Sequence, residues 1–299
     1  MVYKETPGEL FVDILIYVIM IILAISCLLP LLIVLAISFS NRDAAMAGKI
    51  GLWPVGFTTL SYKFLMDRPA FLKALVVSLK RIVIGVPYNM LMILFTAYPL
   101  SKTKRQLRGR NIYAWYFVFT MLFGGGLIPT YMTIKTVGLI DKFLVLIVPG
   151  GVLVWNIILM MNFFRSVPQS LEEVAFVDGA GYVTTLFKIY IPLSLPAMAT
   201  ISLFTMVAQW NAWFDGLIYM TNSQNYPLQT YIYTIITSAS KILDSYGAAD
   251  PEMLKYIQTI TDKSIKSAQI FLAALPILCV YPFLQKYFMT GIKLGSVKE

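Results

Sequence analysis

Ser170-Leu171-Glu172-Glu173-Val174-Ala175-Phe176-Val177-Asp178-Gly179-Ala180, continuing through Phe187-Lys188-Ile189-Tyr190-Ile191-Pro192 to Pro196, is a short polar island between two long apolar runs. Its grammar predicts a helix, a break and a second helix. Ser170 and Glu173 have the S-x-x-E spacing of a capping box, whose hydroxyl and carboxylate satisfy open backbone N–H groups of the first turn. Acids crowd that turn, where they complement the positive end of the helix dipole. Gly179 predicts the stop, at a place where positive φ or close backbone approach penalises a β-carbon. Val174, Ala175 and Val177 offer small apolar side chains that another protein could approach closely, so the helix reads as a docking surface.

The chain around this island is apolar. Of 299 residues 58% are hydrophobic and only 13% charged, and the mean hydropathy is +0.74. Soluble domains carry roughly 25% charged residues, so the composition predicts an integral membrane protein, all-α. Cys27 and Cys279 each sit inside an apolar run and read as small core hydrophobes, not as a disulfide or metal pair. The absence of histidine removes imidazole general-base chemistry, the H-E-x-x-H helix and most zinc sites. No G-x-x-x-x-G-K-[ST] phosphate loop and no G-x-S-x-G elbow occur, so the chain is not expected to bind ATP itself or to be an enzyme, and no catalytic residue, metal or cofactor is assigned. A net charge of +9 does not imply nucleic acid here, because basic residues of membrane proteins collect at cytoplasmic flanks.

Apolar runs predict six spanning helices at about residues 14–40, 82–101, 111–134, 143–164, 192–216 and 267–285. Residues 1–10 lack a basic n-region and cleavage site, so the first run is expected to remain. Residues 41–68 read as a loop, and Ala70 to Arg81 as an amphipathic helix on the membrane surface, with Lys80 and Arg81 snorkelling to the headgroups. Lys102, Lys104, Arg105, Arg108 and Arg110 put five basic residues in nine positions with no acid. The positive-inside rule makes that loop cytoplasmic. Both termini and the polar island of residues 165–191 then fall on the cytoplasmic side. Gly124-Gly125-Gly126 and Pro129 are expected to loosen the outer half of the third run. Thr221 to Lys266 reads as a long external segment, suited either to docking a soluble receptor or to capping the external mouth.

Near the outer end of the fifth run stand Gln209, Trp210, Asn211 and Trp213, followed by Asp215. Aromatic faces can stack on sugar C–H surfaces while amides bond hydroxyls, which makes these four the candidate substrate-pathway residues. Interfacial anchoring and helix–helix bonding explain the same residues without a substrate.

The island resembles the coupling loop of the membrane subunits of binding-protein-dependent ABC importers, with the pattern E-A-A, three residues, G, nine residues, I-x-L-P. Here it runs Glu173-Val174-Ala175, Gly179, then Ile189-Tyr190-Ile191-Pro192, departing at Val174 and Ile191. Asp178-Gly179-Ala180, Phe187 and Pro196 are similar to the carbohydrate-uptake, maltose-type branch. Trp210-Asn211-Ala212-Trp213-Phe214-Asp215-Gly216 and Gly126-Leu127-Ile128-Pro129-Thr130-Tyr131 look closest to the LplC/YtcP-like subgroup of sugar permeases. The resemblance covers the chain from the first run to the tail. It implies a type I ABC importer permease fold of six transmembrane helices in a bacterial plasma membrane. It also implies a second homologous permease subunit, an ABC ATPase dimer, an extracytoplasmic solute-binding protein and a carbohydrate substrate, expected to be an oligosaccharide. Glu172, Glu173, Ala175, Asp178, Gly179 and Ala180 would form the ATPase-coupling set. The rivals are an ion-coupled secondary transporter, which would normally show intramembrane acids or paired broken helices, and an intramembrane enzyme, for which no nucleophile constellation exists.

Overall fold

The computed structural model describes residues 7–237 and 259–296, and every regular element among them is helical. Its contacts divide the chain into two compact units, Met1–Phe71 with Ile232–Leu275, and Leu72–Tyr231 with Pro276–Glu299.

In the first unit, α1 (Pro7–Ser38) carries Pro30 in its interior. It begins seven residues before the expected span, because nothing between Pro7 and Ile14 stops a helix. From Leu10 to Pro30 every described side chain of α1 is exposed, and only the last turns, at Ala36 and Ser38, are buried within the chain. A helix that is hydrophobic all round needs an apolar surrounding, lipid or another subunit. Cys27 and Cys279 are likewise exposed free thiols, not core residues. The segment read as a plain loop contains α2 (Arg42–Ala47), capped by Asn41 whose side chain accepts from Ala44 N–H, and α3 (Leu60–Met66). Ser40 Oγ donates to Ala36 C=O at 2.6 Å and accepts from Val55 N–H at 3.0 Å, while Phe39 stacks on Phe57 and Tyr62. These contacts tie the turn after α1 into a fixed shape.

The second unit is built on α4 (Pro69–Ser101), a single helix of 33 residues. The expected surface helix at 70–81 and span at 82–101 are therefore one element, about 50 Å long. Continuity follows from the buried stripe: Phe71, Ala74, Ser78, Arg81, Gly85, Asn89, Ile93 and Ala97 are buried at intervals of three or four residues, one unbroken helical face. Pro87 and Pro99 lie off that stripe, on exposed positions.

The other runs are broken where the sequence breaks them. The third becomes α5 (Arg110–Leu122) and α6 (Leu127–Thr136), bent by 114°. The cause is the glycine triplet, ending at Gly126 with φ +85°. In the fourth run a short 3₁₀ turn (Phe143–Leu146) precedes α7 (Val154–Ser166), which has only 13 residues. Pro149-Gly150-Gly151 supplies no good helix former between them, and a β-carbon on Gly151 would lie 2.4 Å from the Tyr88 ring. After α8 (Gln169–Val177), the fifth run is α9 (Tyr182–Leu193) and α10 (Leu195–Asn211), bent by 83° at Ser194, with Pro196 in the first turn of α10 where it is tolerated. Then come α11 (Phe214–Tyr219) and α12 (Leu228–Thr237). The last helix, α13 (Asp262–Ser296), extends the expected 267–285 run at both ends. By length and composition two helices suffice to cross a membrane, or up to four if each bent pair is one span.

The main core of the second unit packs Met90, Ile93, Leu94, Ala97 and Tyr98 of α4 against Ile157, Met160 and Phe164 of α7, with Leu186 and Tyr190 of α9 and Ile201 of α10. The expected external segment is described for residues 221–237 and 259–266; its Asp244, Asp250 and Glu252 lie outside the described residues.

Gly216 packs against the start of α12: a β-carbon there would sit 2.2 Å from Thr230 Oγ1 and 2.8 Å from Pro227 Cδ, and Thr230 Oγ1 is already fixed by its bond to Trp213 C=O. Gly216→Ala should therefore destabilise the purified protein by about 1–3 kcal/mol through overpacking. Gly124→Ala, with open space around the added carbon, should leave the thermal midpoint close to wild type.

Candidate functional site

The candidate coupling element, α8, departs from its expected start. Pro168 occupies the N-cap and no side chain caps the helix. Ser170 is already inside the first turn, so it cannot serve as the N-cap of a capping box. Glu173 instead accepts from Gln169 Nε2 at 3.0 Å, an i, i+4 bond along the exposed side. The end of α8 does follow from Gly179. With φ +82°, this residue lets Gly179 N–H reach Phe176 C=O at 3.1 Å and Ala180 N–H reach Ala175 C=O at 2.9 Å, the two bonds of a Schellman cap. A β-carbon at 179 would meet nothing within 4 Å, so the glycine is needed for its backbone conformation and not for close approach.

α8 has two different faces. Glu173, Val174, Val177 and Asp178 are exposed, whereas Glu172 and Ala175 turn inward. The sequence reading grouped these acids and alanines as one docking set, and the fold separates them. Glu172 is 3% exposed, and its Oε2 takes a 2.7 Å bond from Lys102 Nζ and a 2.6 Å bond from Tyr190 Oη. Lys102, just past the end of α4, also lies 4.0 Å from the Tyr98 ring centroid and 4.1 Å from that of Tyr190. Burial pushes its ammonium down from the usual lysine range, and Glu172 pulls it back. α4, α8 and α9 thus meet on one cation. Glu172 Oε1 is buried without a hydrogen-bond partner among the described residues. Glu172 also lines a cavity of about 300 Å³ whose walls include Gln106, Arg110, Arg165 and Gln169.

The second candidate, the polar patch of the fifth run, is also divided. Gln209 and Trp210 are buried, Trp213 is half-buried, and Asn211 is exposed. Gln209 Oε1 accepts from Arg81 Nε at 2.9 Å, and its Nε2 donates to Asn89 Oδ1 at 2.6 Å. Asn89 in turn donates to Gly150 C=O at 2.9 Å. Arg81 completes its fork on Asp215, with one bond of 3.2 Å to Oδ1 and a second, shorter one to Oδ2. Gly85 leaves room for this, since a β-carbon there would lie 2.9 Å from the Gln209 amide. Arg81 therefore does not snorkel: it is 5% exposed and pairs inward. Lys80, one residue earlier, remains exposed. Arg81 falls on the same three-and-four spacing as Phe71, Ala74 and Ser78, and that spacing was the signal for its burial.

Apolar helices, two of them bent pairs, with charged pairs buried beside them, fit a membrane-embedded protein. Residues 64–294 match the family described as binding-protein-dependent transport system inner membrane component, and the chain belongs to that family. It is 38% identical over 289 residues to the polygalacturonan/rhamnogalacturonan transport system permease protein YtcP of Bacillus subtilis (strain 168), covering 96% of this chain and 98% of that one. It is 37% identical over 271 residues to Protein LplC of the same organism, covering 91% and 89%. A chain from the crystal structure of a bacterial ABC transporter involved in the import of the acidic polysaccharide alginate superposes with a TM-score of 0.85 at 29% identity, over 96% of this chain and 99% of that one. The resemblance carried by Glu173 to Pro192 is borne out at the level of the family, and the ion-coupled alternative is set aside.

Glu172→Leu leaves Lys102 a buried, unpaired cation, Lys102→Met leaves Glu172 a buried, unpaired carboxylate, and each should cost about 3–5 kcal/mol. The double variant K102M/E172L removes both charges at similar volume and should lose far less than the two single variants summed. Thermal unfolding of the four purified proteins closes the cycle.

Proposed function

We propose that this chain forms half of the translocation pathway of an ATP-driven importer for an oligosaccharide, and that α8 is its coupling helix. Beside it would stand a second homologous permease, with an ABC ATPase dimer on the cytoplasmic side and an extracytoplasmic solute-binding protein outside. The saccharide class is supported by the substrates of YtcP, polygalacturonan and rhamnogalacturonan, and of the alginate importer. The observation that carries the coupling role is the division of α8 into an exposed face, Glu173, Val174, Val177 and Asp178, and a face fixed to α4 and α9 through Glu172 and Lys102. A push on the exposed face is then delivered to α4 and α9 at once. Closure of the ATPase dimer on ATP would move α8 and tilt the bundle from inward-facing to outward-facing.

In this reading the six membrane crossings are α1, α4, the α5–α6 pair, α7 with the segment before it, the α9–α10 pair and α13. α7 alone is about 20 Å long, short of the roughly 30 Å hydrocarbon core, so residues 143–153 complete its crossing. The basic cluster at 102–110 and the loop at 165–191 lie in the cytoplasm with both termini, in a bacterial plasma membrane. Lipid covers the apolar side chains of α1. Of the polar patch, Asn211 and Trp213 are the remaining candidates to meet a substrate, since Gln209 is occupied by Arg81 and Asn89 and Trp210 is buried. Replacing either by Ala should lower uptake without loss of assembly.

Orientation is checked by thiol labelling: a cysteine at Gln106 should react only from the cytoplasmic side and one at Ser223 only from outside, and the reverse pattern overturns the docking role of α8. Coupling is checked with Gly179→Leu, which strains the left-handed cap although its β-carbon would meet nothing within 4 Å, and Glu173→Lys, which reverses the charge on the exposed face of α8. Both should reach the membrane at near wild-type abundance and lose at least tenfold in saccharide uptake, through lost ATPase co-purification or uncoupled hydrolysis. Full uptake by both variants would remove α8 as the coupling element.

A further inference from the structure

Seven residues apart on α4, Lys73 and Lys80 occupy the same helical face about 10 Å apart along the axis. They line a cleft of about 360 Å³ closed on its other side by Gln224 and Asn225, with Leu72, Val76 and Val77 as an apolar floor. No acidic residue contributes to its walls. Lys73 Nζ donates to Gln224 Oε1 at 3.0 Å, which aims that amide, and Lys80 has no partner among the described residues. The far wall is independently built. Asp141 Oδ1 accepts from Thr221 N–H at 3.1 Å and Asn222 N–H at 3.2 Å, and Asn222 Oδ1 accepts from Gln224 N–H at 2.9 Å. Asp141 holds a left-handed backbone, φ +58°, to make this clamp, a conformation Asp tolerates better than most residues. These backbone bonds hold its carboxyl below the usual carboxylate range, so it stays an acceptor at neutral pH.

We propose that this cleft is a binding site for a carboxylate-bearing saccharide, resting on the importer reading above. Two ammonium groups on a rigid helix face carboxylates, the amides of Gln224 and Asn225 meet hydroxyls, and the apolar floor takes sugar C–H surfaces. A clamped wall lowers the ordering cost of binding. The site lies at the end of α4 opposite Lys102, outside the membrane in the proposed topology, where an arriving substrate would first meet this subunit. Lipid phosphate would suit the lysines as well, but it leaves the clamped amide wall without a role.

The test uses the full-length chain, with the subunits that co-purify, in phosphatidylcholine nanodiscs and without the solute-binding protein. The probes are trigalacturonate and its fully methyl-esterified form, which has the same rings and no charge. Trigalacturonate should bind wild type about tenfold more tightly than the K73Q/K80Q variant, the sum of two modest exposed ion contacts. Added salt should weaken the wild-type affinity and leave that of the variant nearly unchanged. K73R/K80R should restore most of the affinity, and the ester should bind both proteins equally. Equal affinity of wild type and variant for trigalacturonate, equal affinity of wild type for acid and ester, or no binding of either form overturns the site. So does full displacement by phosphatidylglycerol, which would make it a lipid site. Saccharide uptake by the wild-type importer is measured separately, so an importer that moves saccharide without using this cleft loses the site and keeps the function.

Discussion

The buried ion pair of Lys102 with Glu172 sets how α8 is held against α4 and α9. Each ion loses several kcal/mol of hydration on burial, and an apolar pair of equal volume often holds a fold as well or better. Stability alone therefore does not account for it. What the pair supplies is position. An ammonium that meets one carboxylate oxygen and two tyrosine faces at about 4 Å has few alternative seats, so α8 cannot slide along α4 as an apolar helix could. The Tyr190 hydroxyl, bonded to the same carboxylate oxygen, extends that constraint to the base of α9.

The Arg81 network applies the same logic further along α4. Arg81, Gln209, Asn89 and Asp215 satisfy one another through bonds that cross between α4, α10 and α11. In an apolar surrounding a half-satisfied network is worse than none. Each member therefore depends on the rest, and Gly85 depends on all of them for the space its missing side chain leaves. One network lies along α4 and the other at its end, which makes this helix the common reference for α8 and for the fifth run.

Much of this was legible in the sequence. The family-defining island, the break at Gly179, the glycine triplet that bends the third run and the prolines that open the fifth are local signals, and local signals act where they are written. Three readings failed for a shared reason: they needed knowledge of what packs on the other side. Ser170 could not cap α8 because Pro168 had already started it. Cys27 looks like core only if the apolar run around it is packed within the chain, whereas the part of α1 that carries it is exposed on every side. Snorkelling of Arg81 was inferred from its neighbours in sequence, while its fate was decided by Asp215, 134 residues away.

The contrast between Lys80 and Arg81 carries the argument one step further. Adjacent in sequence, they differ by about 100° around the helix, and that rotation gives them opposite surroundings. Arg81, with a planar fork that can meet an amide and a carboxylate together, is spent entirely on internal partners. Lys80 and Lys73, compact and strongly hydrated charges, face a cleft without an acid. A helix that neutralises one cation internally while leaving two about a quarter turn away keeps its own packing independent of what occupies the cleft. Charge in this chain is thus partitioned by helical angle, with fixed pairs on the packed face of α4 and open ammonium groups on the exposed one.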